Sequence, residues 1–114
     1  MDHVIGDDDL QLNEWGYYEP KPLPRVGTAR LLGPVSVAEL PGAAAASLYE
    51  LDPPHEGHAF VLVVGVWSPT LVGTSIRPAN ADGTLAAPGH LRGGFAGAMD
   101  HVRALEHAGY DVVL

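Results

Sequence analysis

The chain has no cysteine, a single lysine and no apolar run long enough to cross a bilayer. Without cysteine there is no disulfide, no thiolate metal site and no cysteine nucleophile, and the redox compartment is left unread. The longest apolar stretch, AFVLVVGVW at residues 59–67, falls well short of the ~20 residues of a spanning helix, so no membrane association is expected. The first residues are acidic and lack a basic n-region, which argues against a secretory signal. The other five basic residues are arginines scattered along the chain. They form no basic stripe for phosphates, so direct nucleic-acid binding is not expected.

What is present is acidity, and it is unevenly spread. The net charge is −8 over 114 residues. Residues 1–20 hold Asp2, Asp7, Asp8, Asp9, Glu14 and Glu19 and no Lys or Arg, while the remainder is close to balance. An acidic protein could imitate DNA, but that needs charge spread over a face, and here it is concentrated in an arm. Gly 14 and Pro 10 make up about a fifth of the chain, against roughly 12% in average usage. Turns and extended segments are therefore abundant. The length suggests one domain with one modest core.

Residues 1–30 sustain no helical or strand period. EPKPLP favours polyproline II, because each Pro fixes its own φ and restricts its predecessor. Trp15, Tyr17 and Tyr18 are unusual in a linker, since disordered segments are poor in aromatics. The domains are read as an extended acidic, Pro- and aromatic-containing arm over 1–30 and a single small domain over 31–114. Asp7, Asp8, Asp9, Trp15, Tyr17 and Tyr18 are the candidate partner-binding residues.

In 31–114, SLYELD at 47–52, AFVLVVGVW at 59–67 and LVGTSIR at 71–77 have strand composition and short connections, as in an antiparallel meander. A short strand at 35–40 is flanked by prolines. GAAAAS at 42–47 is too short for a confident helix. A long polar loop over 78–94 precedes a helix predicted for 95–108, with Phe95, Ala98, Met99, Val102 and Leu105 as its apolar stripe. Asp100, His101, Arg103, Glu106 and His107 form the opposite, solvated face, and Gly109 is its C′ residue with Tyr110 packing back. The expected fold is α+β: a small antiparallel meander of three to four strands with one C-terminal helix packed on it, preceded by the arm. Tyr49, Phe60, Val64, Val66, Met99, Val102 and Leu105 are the expected core, with Val61 and Val63 as second choices.

The motifs with chemical potential are few. His55-Glu-Gly-His58 could supply two zinc ligands, but zinc needs three or four, and no spacing designates the others. Prolines before and an apolar strand after suit a hairpin turn, with both histidines facing solvent or a partner. His101 and His107 beside Asp100 and Glu106 lack a cleft to tune them. GHLRGGFAG at 89–97 lacks the Lys-Ser/Thr of a phosphate loop and reads as a flexible helix entry. No serine sits in a G-x-S-x-G elbow. No enzyme activity, metal or cofactor is expected. A small metal enzyme using His55 and His58 is the weakest alternative.

LYELDPPHEGHAFVLVVGV, TSIRPANADG and LRGGFAGAMDHVRALEHAGYDVVL together resemble a pattern of small accessory proteins encoded by phages of actinobacteria. Tyr49, Leu51, Asp52, Pro53, Pro54, Gly57, His58, Pro78, Ala79, Asp82, Gly83, Asp100, His101, Ala108, Gly109 and Tyr110 carry the resemblance, over about 47–114. It transfers no site and implies only a phage or prophage setting. The expected function is then a non-enzymatic virion accessory protein, decorating a capsid or tail and held to its partner by the arm. The alternative is a host-directed protein that binds and modulates a bacterial target. The partner is another protein, a virion component or a host protein, with self-association as a further option. The place is the virion or the bacterial host cytoplasm.

Overall fold

The computed structural model describes residues 10–113 except 37, 39 and 41. Its elements run β1 (Leu10–Leu12), β2 (Tyr18–Pro20), β3 (Gly27–Pro34), β4 (Ala43–His55), β5 (His58–Ser68), β6 (Leu71–Ala79), β7 (Leu91–Ala96), α1 (His101–His107) and β8 (Tyr110–Val113). β1 and β2 form a separate hairpin, and the other strands form one sheet in the order β7-β6-β5-β4-β3-β8. All its pairs are antiparallel except β3–β8, which is parallel. α1 touches both edge strands, β7 and β8, as well as β5 and β6. The sheet therefore curls around its helix. None of the described helices is long and apolar enough to cross a membrane.

This corrects the expected meander of three to four antiparallel strands. Of the described residues, strand makes up 57% and helix 7%, so the class is mostly β, with a curled six-stranded mixed sheet and one short helix among them. Three segments account for the difference. LRGGFA, expected to enter the helix, is the edge strand β7, with an irregular register opposite Thr74–Ile76. Phe95 thus belongs to a strand, and the helix spans 101–107 rather than 95–108. GTARLLGP straddles the expected boundary at residue 30 between arm and domain, yet it is one strand, β3, and only Ala29 within it is deeply buried. Such a strand carries almost no hydrophobic period; its pairing with β4 and β8 makes it a strand. The alanines of 43–46 open β4 because Ala45 and Ala46 pair with Gly65 and Val64, and pairing context overrides their helix propensity.

β5 explains its own unbroken apolar run. Val61 and Val63 face a cluster with Ala29, Tyr49, Leu51, Ile76, Phe95, Ala104, Leu105, Ala108 and Tyr110 on the helix side. Leu62 and Val64 face a second cluster with Leu40, Ala46, Leu48 and Ala79 on the other side. A strand buried on both faces reads as continuous hydrophobicity rather than alternation. Each fully buried Val or Leu here contributes ~1.5–3 kcal/mol relative to exposure. Of the expected core, Tyr49, Val64 and Leu105 are buried, and Phe60 and Val66 pack half-buried against the second cluster. Val102 is 43% exposed, because the helix turns Ala104 and Leu105 to the sheet instead, and Met99, 46% exposed, lies before the helix begins.

The β4–β5 connection is a two-residue turn. His55 pairs with His58, and Glu56 and Gly57 between them have φ of 50° and 86°. Two positive φ values define the type I′ turn that matches strand twist. The expectation that both histidines face outward is corrected for His55. Its ring is buried against Tyr110 at 5.7 Å, with Nε2 at 2.9 Å from the Arg92 carbonyl oxygen.

Candidate interaction surface

Residues 13–17 turn the chain between β1 and β2. Asn13 shapes that turn: its Oδ1 accepts from the backbone N–H of Trp15 and Tyr17, each at 3.0 Å. The Asn13 N–H donates to the Tyr17 carbonyl at 2.8 Å, and Gly16 takes a φ of 88°. Asn side chains commonly close turns in this way. The strands pair Leu10 with Pro20, Gln11 with Glu19 and Leu12 with Tyr18. Period-two geometry then sorts the side chains. Gln11 and Glu19 point inward to the body, whereas Leu12 and Tyr18 stand together on the outer face.

The inner face is locked by an ion cluster. The Glu19 side chain has no solvent exposure. Its carboxylate accepts from Asn13 Nδ2 and Gln11 Nε2, each at 2.9 Å, and from Arg103 Nη2 at 3.3 Å. His107 Nδ1 lies 3.7 Å from it. Arg103 also grips Glu14 through both terminal nitrogens, at 2.8 and 2.9 Å. This fork-to-fork geometry is the strong form of an arginine–carboxylate pair. The guanidinium carbon lies 4.8 Å from the Trp15 ring centre and 5.1 Å from that of Phe95. Trp15 and Phe95 stack with centroids 6.0 Å apart. Asn13 Nδ2 further donates to the Ala96 carbonyl at 2.7 Å. Gly97 completes the seat: a Cβ there would lie 2.7 Å from the Trp15 Cβ, so only glycine admits the indole.

The electrostatics follow from this packing. Burial by itself pushes the Glu19 carboxyl upward. The hydrogen bonds from Asn13 and Gln11, with the charges of His107 and Arg103, outweigh burial and hold it below the usual carboxylate range. Burial pushes the His107 imidazole down, against the opposing pull of Glu19, and burial also lowers His101. Glu14 is lowered by a backbone hydrogen bond and by Arg103.

Of the sequence-derived site residues, Asp7, Asp8 and Asp9 lie outside the described residues. Trp15 seats against the body on one side yet is 40% exposed, as much as Tyr17, and Tyr18 is the most exposed of the three. The structure gathers Asn13, Glu14, Glu19, Arg103 and His107 around Trp15, and none of these five was singled out for the site. The expected solvated helix face is corrected: Arg103 and His107 are covered by the hairpin. The Asp100 carboxylate does not serve as a surface partner for the Arg103 side chain. It caps α1 by accepting from the Arg103 backbone N–H at 3.0 Å. Among the described residues, no group of three or more His, Asp or Glu is placed to hold a metal ion. In comparisons with known proteins, no family model, no curated protein and no solved structure matches the chain.

Proposed function

We propose that the chain is a non-enzymatic protein–protein interaction module whose hairpin presents the partner-binding surface. One observation carries this reading. Leu12 and Tyr18, 62% and 73% exposed, form a cross-strand pair on an element whose opposite face is fixed to the body. Large apolar side chains on a pre-ordered element lose little freedom on docking, and so retain more of their contact energy. Tyr17 adds a second aromatic group of the kind that anchors interfaces. Asp7, Asp8 and Asp9 immediately precede the hairpin, and their charge suits steering towards a basic patch. The particular reading, an accessory protein of a phage particle, rests on the resemblance of residues 47–114. The test is occupancy of the Leu12→Ser/Tyr18→Ser variant on purified particles, beside circular dichroism of the free protein. The expected result is an unchanged fold with occupancy reduced about tenfold or more, equivalent to ~1.4 kcal/mol. Full occupancy of the variant would overturn the role of the outer face. Absence of the parent protein from particles would overturn the virion reading and favour a host-directed binder.

A further inference from the structure

The edge strand β7 bulges where it runs beside β6. Leu91 pairs with Ile76 and Phe95 with Thr74, so Arg92, Gly93 and Gly94 together stand opposite Ser75 alone. Bulges re-aim side chains and interrupt the ladder. The two glycines leave the interior of this one bare. A Cβ on Gly93 would lie 2.7 Å from Ile76 Cδ1, and one on Gly94 would lie 2.9 Å from Thr74 O. Beside the bulge is an open pocket of about 380 Å³, lined by Ser75, His90, Arg92, Gly93, Gly94 and Phe95.

The polar side chains around this pocket are donors in want of an acceptor. Ser75 pairs with Val64 and Arg77 with Leu62, and both partners belong to the cluster on the face away from the helix. Leu91 packs with the helix-side cluster. Alternation therefore turns His90 and Arg92 to the same face as Ser75 and Arg77. Ser75 Oγ and Arg77 Nε are buried with no hydrogen-bond partner among the described residues, a costly state that a ligand acceptor relieves. Arg25, Arg30 and Arg103 pair with carboxylates, whereas Arg77 and Arg92 pair with none among the described residues. The backbone of Arg92 is held from the β4–β5 turn: its N–H donates to Glu56 Oε2 at 2.8 Å, and its carbonyl oxygen is 2.9 Å from His55 Nε2. Glu56 is thus the carboxylate at the pocket wall, and it is turned to that N–H. The two guanidinium groups outweigh it, which makes this a positive place in a chain whose net charge is −8.

Such a set of donors calls for an oxyanion. A carboxylate is satisfied by one arginine fork. Donors arriving from two strands suit the more highly charged, tetrahedral phosphate group. Pro20 and Leu91, also on the pocket wall, supply apolar surface for a small body, and the volume is at the lower end for small-molecule sites. We propose that the β7 bulge binds a small phosphate monoester, its phosphate held by Arg92, His90 and Arg77 with the Ser75 hydroxyl turned to it, and its apolar group against Pro20 and Leu91. GHLRGGFAG then acts through side chains on an edge strand, which requires neither the Lys-Ser/Thr of a phosphate loop nor a helix entry. The site does not depend on Leu12 and Tyr18 and goes beyond the partner reading above.

Phenyl phosphate titrated into the full chain should give saturable shifts in the amide signals of Ser75, Gly93 and Gly94. Inorganic phosphate, which lacks the apolar body, and benzoate, which replaces phosphate by carboxylate, should each bind at least tenfold more weakly. The Arg92→Gln/His90→Gln variant changes two exposed residues. It should keep its fold by circular dichroism and lose at least tenfold in affinity for phenyl phosphate. Arg25→Gln, which removes a positive charge from an exposed ion pair elsewhere, should bind as the parent does. Shifts that never saturate, or a double variant that binds like the parent, overturn the proposal. So does an equal loss in Arg25→Gln, since overall charge would then account for the binding. Inorganic phosphate or benzoate bound as tightly as phenyl phosphate overturns the assignment to a phosphate monoester.

Discussion

Replacing Arg103 with Ala should release the hairpin while leaving the sheet folded. With the hairpin in place, the substitution would strand the Glu19 carboxylate in a site without solvent. Removing one partner of a buried ion pair costs about 3–5 kcal/mol. Glu19 has an escape, however: if the hairpin lifts, its carboxylate is hydrated again. The cost is therefore capped by the docking free energy of the hairpin, and the protein takes the cheaper route. Undocking also surrenders the Trp15–Phe95 stack and the Asn13–Ala96 hydrogen bond. The sheet loses little, because Ala104 and Leu105 keep their places in the core. The discriminating assay is native-state amide exchange, which reads local opening separately from global unfolding. The Asn13 N–H, bonded to Tyr17 O at 2.8 Å, and the Trp15 and Tyr17 N–H groups report the hairpin. A docking loss of ~3 kcal/mol would lower their protection about a hundredfold. The amides of Val61 to Val64 should keep theirs. Unchanged protection in 13–17 would show that Arg103 does not hold the hairpin. An equal loss in hairpin and β5 would show that the hairpin is part of one cooperative core.

Two further outcomes are expected. Leu105→Ala removes a side chain with no exposure from the helix-side cluster, and should cost roughly 2–5 kcal/mol in urea unfolding; a change within about 0.5 kcal/mol, typical of surface sites, would refute the packing of α1. Acid should loosen the protein in two stages. His101 and His107 are depressed by burial below 6.5, so the native state binds fewer protons than the unfolded chain, and stability falls as pH drops below about that value. Glu19 is depressed below 4.5, so its contribution is complete above that pH and is lost as pH falls through its native value. Thermal unfolding between neutral pH and pH 3 checks both stages, and a melting temperature that is flat or rises across this range would contradict the buried cluster.

The sequence was legible where local chemistry and tertiary context agree. The three central strands 47–52, 59–67 and 71–77 lie within β4, β5 and β6, and Gly109 takes the expected positive φ, 103°, after the helix. The turn at His55–His58 could be read from its prolines, its Gly and the strand beyond. The outer strands β3 and β7 were not legible, because their burial is thin. β3 has one deeply buried residue, and β7 combines two adjacent glycines with a broken register. Tyr110 was foreseen as a helix cap. It also opens β8, beside β3, and its hydroxyl donates to Pro53 O at 2.6 Å. That contact spans half the length of the chain, and no local period announces it.

The ion cluster was hidden for a related reason, and its discovery changes what the acidic arm means. Rules of helix spacing offer Arg103 two carboxylates three residues away, Asp100 and Glu106. Its actual partners, Glu14 and Glu19, are 89 and 84 residues distant in sequence. One cue was available: residues 1–20 hold six acidic groups with no Lys or Arg among them, so any of them that is buried draws a permanent cation only from elsewhere. Glu14 and Glu19 do so through Arg103. Both are thereby committed to holding the hairpin, and neither is free to attract a partner. The charge left for long-range attraction is that of Asp2, Asp7, Asp8 and Asp9, all on the N-terminal side of β1. Salt should then act on the two roles differently. Screening weakens exposed charges separated by more than about 8–10 Å, while a buried pair in contact is largely spared. Steering by the aspartates is therefore the salt-sensitive function of the arm, and seating by Glu19 the salt-resistant one.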